Sequence, residues 1–274
     1  MTDNSYASDI QKVLDHRFDQ GADLWTTPDK RLVKGGVFST LGSAMILTEL
    51  GQTGTALMKE TAGLILGTWR DDGRFRLSPG GAIYPCHTAG AARVLCRLGY
   101  ADDDRLKRTF QHLLDIQHDD GGWKCSTYKF GRGPETVFSN PGTTLEALDA
   151  FRYTPLLHSE PRLRPAVEFL LAHWDTRIPL GPCHYGMGSL FMKVEFPFFR
   201  YNLFYYVYTL SFYETARSDR RFLEALDLLR SRMKEGRIIV ENPNRQLEAF
   251  SFCRKMEASD LATARYAEII KNLE

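Results

Sequence analysis

The sequence lacks an excess of either charge and lacks a long apolar run. Its 274 residues carry a formal net charge of +1, so no general attraction draws it to nucleic acid or to an anionic membrane. No segment approaches the ~18 consecutive apolar residues of a membrane span. The N-terminal stretch, MTDNSYASDIQKVLDHRF, has no apolar signal core. These absences predict a soluble, cytoplasmic protein without a nucleic-acid partner or a transmembrane segment.

Cysteine is also scarce, and its spacing excludes a disulfide framework of the kind that holds small secreted domains together. The chain has five cysteines, an odd number at irregular intervals. That usage is typical of reduced thiols in a reducing compartment. They are Cys86, Cys96, Cys125, Cys183 and Cys253.

What the sequence does contain is an internal repeat, which should be sought before any other pattern. Gly51 is followed 22 residues later by Gly73, in DDGRF, and Gly99 is followed 22 residues later by Gly121, in DDGGW. Either glycine gives a period of 48 residues. A fainter copy surrounds Gly236.

Each repeat predicts two helices. In the second repeat, Leu106, Phe110 and Leu113 form one apolar stripe on an otherwise polar helix. The preceding segment, CHTAGAARVLCRLG, is apolar or small on most faces, which favours burial on both sides. Each repeat is therefore a buried helix followed by an amphipathic helix, with a glycine turn between repeats.

The repeats predict an all-α fold, an α/α toroid in which a ring of inner helices is sheathed by outer helices. Residues 1–36 form a lead-in with one helix, about Ala7 to Phe18. Residues 37–274 form a single domain of about 5–6 helix pairs, with pairs starting near 37, 87, 142, 200 and 245. The long, unequal connections favour a closed ring over an open solenoid, whose units are uniform.

The stretch LLDIQHDDGGW resembles the Gln–Trp repeat of squalene and hopene cyclases, through Leu114, Gln117, Gly121, Gly122 and Trp123. Protein prenyltransferase β-subunits share the helical toroid of those cyclases. The resemblance covers roughly residues 37 to 240 and is to a short, bacterial-type member of this superfamily. It implies an isoprenoid-type ligand, although an Asp-x-Asp-Asp cyclase motif and an Asp-x-Cys zinc pair are both missing from the sequence.

The dipeptide Cys-His occurs twice after proline, as Cys86–His87 and Cys183–His184, and Cys125 directly follows DGGWK. The resemblance maps His87 and Cys183 onto zinc-binding residues of prenyltransferase β-subunits. In a ring of helix pairs, these residues would all lie on one rim, where they could hold a zinc ion. The alternative is that the cysteines are buried structural thiols.

An aromatic run, FPFFRYNLFYYVYTLSFYE, predicts a ligand cavity, because aromatic walls stabilise cationic and apolar ligands. The alternative is that these side chains fill the core. Five buried tyrosines would need hydrogen-bond partners, which favours a cavity that contains water. The predicted cavity residues are Trp123, Tyr201, Phe204, Tyr205, Tyr208 and Phe212.

Glu195 and Arg200 are the candidate catalytic residues. A desolvated Glu195 could act as a general acid, and Arg200 could hold a carboxylate or a diphosphate. The alternative is that the two side chains pair with each other.

Three functions compete at this point, and the sequence leaves open whether the protein is an enzyme. The first is a prenyltransferase-like or terpenoid cyclase-like protein with an apolar ligand in a central cavity and a zinc site at its mouth. The second is a non-catalytic binding or scaffold module, which would have a protein partner or form an oligomer. The third is a carbohydrate-active enzyme on the same toroid, which would need paired carboxylates such as Glu135, Glu146 and Glu195.

Overall fold

The computed structural model describes residues 6–125 and 133–274. Its elements in these ranges are helices and turns, with isolated β-bridges but no β-sheet. The all-α prediction is therefore confirmed for the described part of the chain. None of its helices has both the length and the hydropathy that crossing a membrane requires.

The chain divides into two compact units, 1–115 and 116–274. From residue 6 onward, where its description begins, the first unit contains five α-helices: α1 (Ala7–Asp15), α2 (Thr40–Glu49), α3 (Ala56–Leu66), α4 (Pro85–Arg97) and α5 (Asp104–Asp115). Helix α2 packs against α1, α3 and α4, and α4 packs against α5. The buried ion pair of Arg97 with Glu49 joins α4 to α2.

In its described residues, 116–125 and 133–274, the second unit contains seven α-helices. They are α6 (Pro141–Phe151), α7 (Leu156–Ser159), α8 (Leu163–Thr176), α9 (Leu203–Leu210), α10 (Glu214–Arg217), α11 (Arg220–Ser231) and α12 (Asp260–Leu273). Helix α6 packs on α8 and α9, and α9 also packs on α11 and α12. Closure of the repeats into one toroidal ring stays a prediction.

The predicted alternation of buried and amphipathic helices is present in both units. Nearly every residue of α2, α6 and α9 is buried. By contrast, α5 and α11 bury only an apolar stripe, which includes Leu106 and Phe110 in α5 and Phe222 and Leu226 in α11.

Four predicted helix starts lie within three residues of the observed ones, but the fifth differs. The segment predicted to start a helix near Arg245 forms short 3-10 turns at Arg245–Leu247 and Ser251–Cys253. The helix begins instead at Asp260, because the Ser259 side chain accepts the Ala262 N–H and caps it.

The repeated glycine turns share one hydrogen bond that the sequence pattern does not reveal. Gly73, Gly121 and Gly236 all have positive φ, between 73° and 90°. Two residues after each glycine, a buried backbone N–H donates to a threonine hydroxyl. The pairs are Phe75 with Thr88 (3.3 Å), Trp123 with Thr144 (3.0 Å) and Ile238 with Thr263 (3.0 Å). Each threonine is the fourth residue of its helix, α4, α6 or α12.

Gly73 and Gly121 also pack closely against an amphipathic helix, α5 for Gly73 and α8 for Gly121. A Cβ on Gly73 would lie 2.8 Å from the Arg108 carbonyl oxygen in α5, and one on Gly121 would lie 2.6 Å from the Pro165 carbonyl carbon in α8. Gln117 fixes the second turn, because its amide donates to the carbonyls of Gly121 (2.6 Å) and Arg162 (2.8 Å). Gln117 and Gly121 therefore fix this turn against α8 and the residue before it, within the second unit.

Candidate functional site

A tight turn at Leu180–Tyr185 carries one of the two Cys-His dipeptides. Leu180 and Tyr185 exchange both backbone hydrogen bonds, at 3.0 Å each, and the His184 N–H donates to the Gly181 carbonyl. Gly181 has a φ of +73°, and a Cβ there would lie 2.8 Å from the Cα of Asn140. Close packing of two backbones therefore requires glycine here and places Cys183 at the tip of the turn.

Cys125 lies beside this turn. The Asn140 N–H donates to the Trp123 carbonyl at 2.8 Å. This bond places Trp123, two residues before Cys125, beside Asn140, against which Gly181 packs. The Sγ atoms of Cys125 and Cys183 are 2.7 Å apart. Cys125 is buried, whereas Cys183 is exposed. The structure thus brings together two of the three predicted sulfur ligands, from positions 58 residues apart in the sequence.

His184 is an exposed residue of the same turn, and Glu135 lies beside it. The Nε2 atom of His184 is 3.5 Å from a carboxylate oxygen of Glu135. The Glu135 carbonyl also accepts the Gly181 N–H at 3.0 Å. The exposed part of the cysteine site therefore has one imidazole and one carboxylate beside it.

The other predicted metal ligands, Cys86 and His87, lie in the first turn of α4 in the first unit. The His87 ring contacts the Tyr84 ring edge to face, with 5.1 Å between ring centroids. Burial lowers the pKa of His87 below its usual value, which favours the neutral imidazole. Convergence of this dipeptide with Cys125 and Cys183 stays a prediction.

The predicted zinc site requires several ligands close together. The described residues contain no group of three or more His, Cys, Asp and Glu side chains arranged to hold a metal ion. Two sulfur ligands on a tetrahedral zinc, each ~2.3 Å from the metal, lie about 3.8 Å apart. The 2.7 Å between the sulfurs of Cys125 and Cys183 is much shorter. The spacing of these two sulfurs therefore differs from that of two thiolates on one zinc ion, and the predicted zinc site stays a prediction.

An apolar groove of about 430 Å³ lies close to the cysteine turn in the second unit. Phe138 and Ile178 line it and are 43% and 54% exposed, so two large apolar side chains face solvent along one groove. Phe169 and Leu180 also line it, and Leu180 begins the turn that carries Cys183. Sequence patterns missed this groove, although its signal is a set of large apolar residues on polar connections.

Three polar side chains along this groove, those of Asp120, Glu168 and His173, are already hydrogen-bonded. The carboxylate of Asp120 accepts from the backbone and hydroxyl of Ser139, at 2.7 and 2.6 Å. The carboxylate of Glu168 accepts two bonds from Arg221, each 2.8 Å. His173 uses both ring nitrogens, with the Tyr201 hydroxyl at 3.0 Å and the Ile178 carbonyl at 2.8 Å. The groove therefore presents mainly apolar surface.

Five of the six predicted cavity residues have buried side chains that do not line this groove. Every residue of α9 is buried, including Phe204, Tyr205 and Tyr208. The Phe198 ring lies 5.0 to 5.1 Å from the rings of these three residues. Trp123 packs against Phe151, with 5.9 Å between ring centroids.

The buried tyrosine hydroxyls have protein partners, where the sequence favoured a cavity containing water. Tyr205 donates to Asp149 at 3.1 Å, and Tyr208 donates to Glu268 at 2.6 Å. Tyr206 and Tyr213 donate to backbone carbonyls. These partners lie far away in the sequence, so the repeat pattern alone could not identify them.

Phe212 is the exception and lines a second, more polar cavity of about 340 Å³ in the second unit. Arg164 and Arg217 also line it. Arg217 is held there by the carbonyl of Ser211, to which its Nε donates at 2.9 Å. The Phe212 ring also meets the buried Arg152 guanidinium, which lies 4.2 Å from the ring centroid.

Glu195 and Arg200 pair with each other. Arg200 donates from Nε at 2.9 Å and approaches the second carboxylate oxygen to 2.6 Å, so the pair is bidentate. Glu195 is buried and Arg200 is half exposed. Burial raises the pKa of Glu195, and the bond and charge of Arg200 oppose that shift. This geometry agrees with the structural alternative stated for these two residues.

Comparison with known proteins adds little to this site. No family model matches the chain, and no curated protein matches it. A crystal structure of Salmonella alpha-2-macroglobulin reacted with methylamine is similar over 94% of this chain, at 17% identity and a TM-score of 0.44. This chain spans 16% of that one. A likeness of this size supports neither a fold nor a function, and the cyclase and prenyltransferase resemblance stays a prediction.

Proposed function

We propose that this chain is a binding module for a small apolar molecule, which lies in the groove between Phe138 and Ile178. The observation that carries the proposal is the exposure of these two large side chains on one groove of about 430 Å³. That volume lies in the range of small-molecule sites, about 300–1,000 Å³. Covering apolar surface contributes about 25 cal/mol per Å², so an apolar occupant stabilises the groove.

The polar groups of the groove support an apolar ligand over a sugar. Asp120, Glu168 and His173 already have protein partners, so a polyhydroxylated ligand would have to compete with existing hydrogen bonds. An isoprenoid-type chain places no such demand, because it needs only apolar contacts. We therefore propose an isoprenoid-type ligand, in a site different from the aromatic run.

The packing of the aromatic run supports a binding role over cyclase chemistry. Tyr205 and Tyr208 fill the interior with their hydroxyls satisfied, and Glu195 is held by Arg200. The proposed location remains the cytoplasm. Zinc and catalysis remain predictions and are not needed for this function.

A displacement titration tests the proposal. The fluorescent probe 1-anilinonaphthalene-8-sulfonate is bound to the protein and then displaced by farnesol. Phe138→Ser and Ile178→Ser should each weaken farnesol binding about tenfold, the equivalent of ~1.4 kcal/mol of lost apolar contact. Leu190→Ser is the control, since Leu190 is 66% exposed but does not line the groove. Equal displacement from all three variants and the unaltered protein contradicts the proposal.

A further inference from the structure

We propose that Cys125 and Cys183 form a redox-active dithiol that exchanges with low-molecular-weight disulfides. The two sulfurs are 2.7 Å apart, and the backbones that carry them are fixed by hydrogen bonds from Asn140 and across the Leu180–Tyr185 turn. A disulfide needs ~2.05 Å between its sulfurs, so a shortening of this one distance would join them. This inference goes beyond ligand binding in the groove and does not depend on it.

The two thiols differ in exposure, and that difference assigns their roles. Cys183 is at the tip of a surface turn and is exposed. Cys125 is 5% exposed and lies behind it. In thiol–disulfide exchange the accessible thiolate attacks first, and a second thiolate then resolves the mixed disulfide. Cys183 is therefore the attacking cysteine and Cys125 the resolving one.

The exchange balances as two displacements. The Cys183 thiolate attacks one sulfur of a disulfide RSSR, which forms Cys183–S–SR and releases RS⁻. That anion takes up the proton that Cys183 lost. The Cys125 thiolate then attacks the Cys183 sulfur and releases the second RS⁻, which takes up the Cys125 proton. Overall, two protein thiols are oxidised to one disulfide and RSSR is reduced to two RSH.

The surroundings of the pair fit a small disulfide substrate. The imidazole of His184 and the carboxylate of Glu135, 3.5 Å apart, lie at the turn. They can contact the charged ends of a peptide disulfide such as oxidised glutathione. The groove residue Leu180 begins the same turn, so a closed disulfide also fixes one wall of the groove.

The test uses the full chain, first reduced and freed of reductant, then incubated with oxidised glutathione. Of the five thiols counted after denaturation, three should remain, because one pair is consumed. Peptide mapping should find Cys125 linked to Cys183. Cys253→Ser is the control, since Cys253 is buried and its thiol donates to the Leu247 carbonyl. It should form the same link.

Single variants then separate the two roles. Cys125→Ser should accumulate a glutathione adduct on Cys183, because the resolving thiol is missing. Cys183→Ser should leave Cys125 unmodified, because that sulfur is buried. Five remaining thiols in the unaltered protein, or links and adducts spread over other cysteines, overturn the proposal. Release of one equivalent of zinc when the pair is modified also overturns it, because the thiolates would then be metal ligands.

Discussion

The Tyr201 hydroxyl lies 3.0 Å from Nδ1 of His173, and the two rings stack with 5.8 Å between their centroids. The other ring nitrogen, Nε2, lies 2.8 Å from the Ile178 carbonyl, which can only accept. His173 therefore carries its proton on Nε2, and Tyr201 donates to Nδ1. This neutral, buried imidazole connects α8 to the segment that forms the groove.

Acidification should weaken the protein through His173. Burial lowers its pKa below 6.5, although the bond to Ile178 opposes the shift. The unfolded chain then binds a proton below pH 6.5 that the folded chain resists, so stability is present above that pH and is lost as the pH falls through the lowered pKa. The free energy of unfolding, measured with urea at pH 7.5 and pH 5, should fall less on acidification for His173→Gln than for the unaltered protein. Equal losses would mean that other groups cause the acid sensitivity.

Removing the hydroxyl of Thr144 should destabilise the second unit. Thr144→Val leaves the buried N–H of Trp123 without its partner, which costs about 1–3 kcal/mol. Thr144→Ser keeps the oxygen and should cost less. Urea denaturation followed by tryptophan fluorescence measures both. If valine and serine cost the same, the lost methyl contacts, and not the hydrogen bond, account for the change.

Gly121→Ala and Gly99→Ala should have different effects, although the two glycines have nearly equal φ, +90° and +91°. Both substitutions incur the left-handed backbone penalty of about 1–2 kcal/mol. Only Gly121→Ala also forces a Cβ into the Pro165 carbonyl, whereas nothing lies within 4 Å of a Cβ on Gly99. We expect about 1–3 kcal/mol of further destabilisation at Gly121, from overpacking. Thermal unfolding with similar Tm losses for the two variants would contradict this account of the repeat.

Glu195→Gln should flatten the dependence of stability on pH between mildly acidic and neutral conditions. Burial raises the pKa of Glu195 above 4.5, so the folded chain holds a proton that the unfolded chain releases. Stability therefore falls as the pH rises from 4.5 through the raised pKa, and glutamine removes that fall. The urea midpoints of the variant and the unaltered protein at pH 4.5 and pH 7.5 test this. The exposed Glu60→Gln is the control and should leave the profile unchanged.

Periodicity predicted the elements that depend on local patterning. The stripe of Leu106 and Phe110 identified α5, and the 22-residue spacing of Gly99 and Gly121 located a real turn. The candidate site was harder to predict from the sequence, because it depends on contacts between residues that are distant in the chain. The sequence singled out Cys125 and Cys183 separately, but only the fold places their sulfurs together.

Segments without regular secondary structure explain most of the remaining differences between the predictions and the structure. Phe138 and Ile178 lie on connections that have no helical or strand period, so nothing in the pattern indicated a shared groove. Tyr205 and Tyr208 find their acceptors on α6 and α12, at Asp149 and Glu268, which are 56 and 60 residues away. Tyr205 and Tyr208 therefore lie in a packed core with their hydroxyls hydrogen-bonded, while Phe212 of the same aromatic run lines a cavity.

The threonine at the fourth position of α4, α6 and α12 makes the turn of one repeat depend on the helix of the next. The donor N–H and the acceptor threonine belong to different repeats. A single repeat cut from the chain would therefore expose an N–H group that the following repeat normally covers. Tandem duplication of a whole repeat would reproduce donor and acceptor together. Duplication of a repeat that carries both the glycine turn and the threonine would therefore create a junction that already has its hydrogen bond.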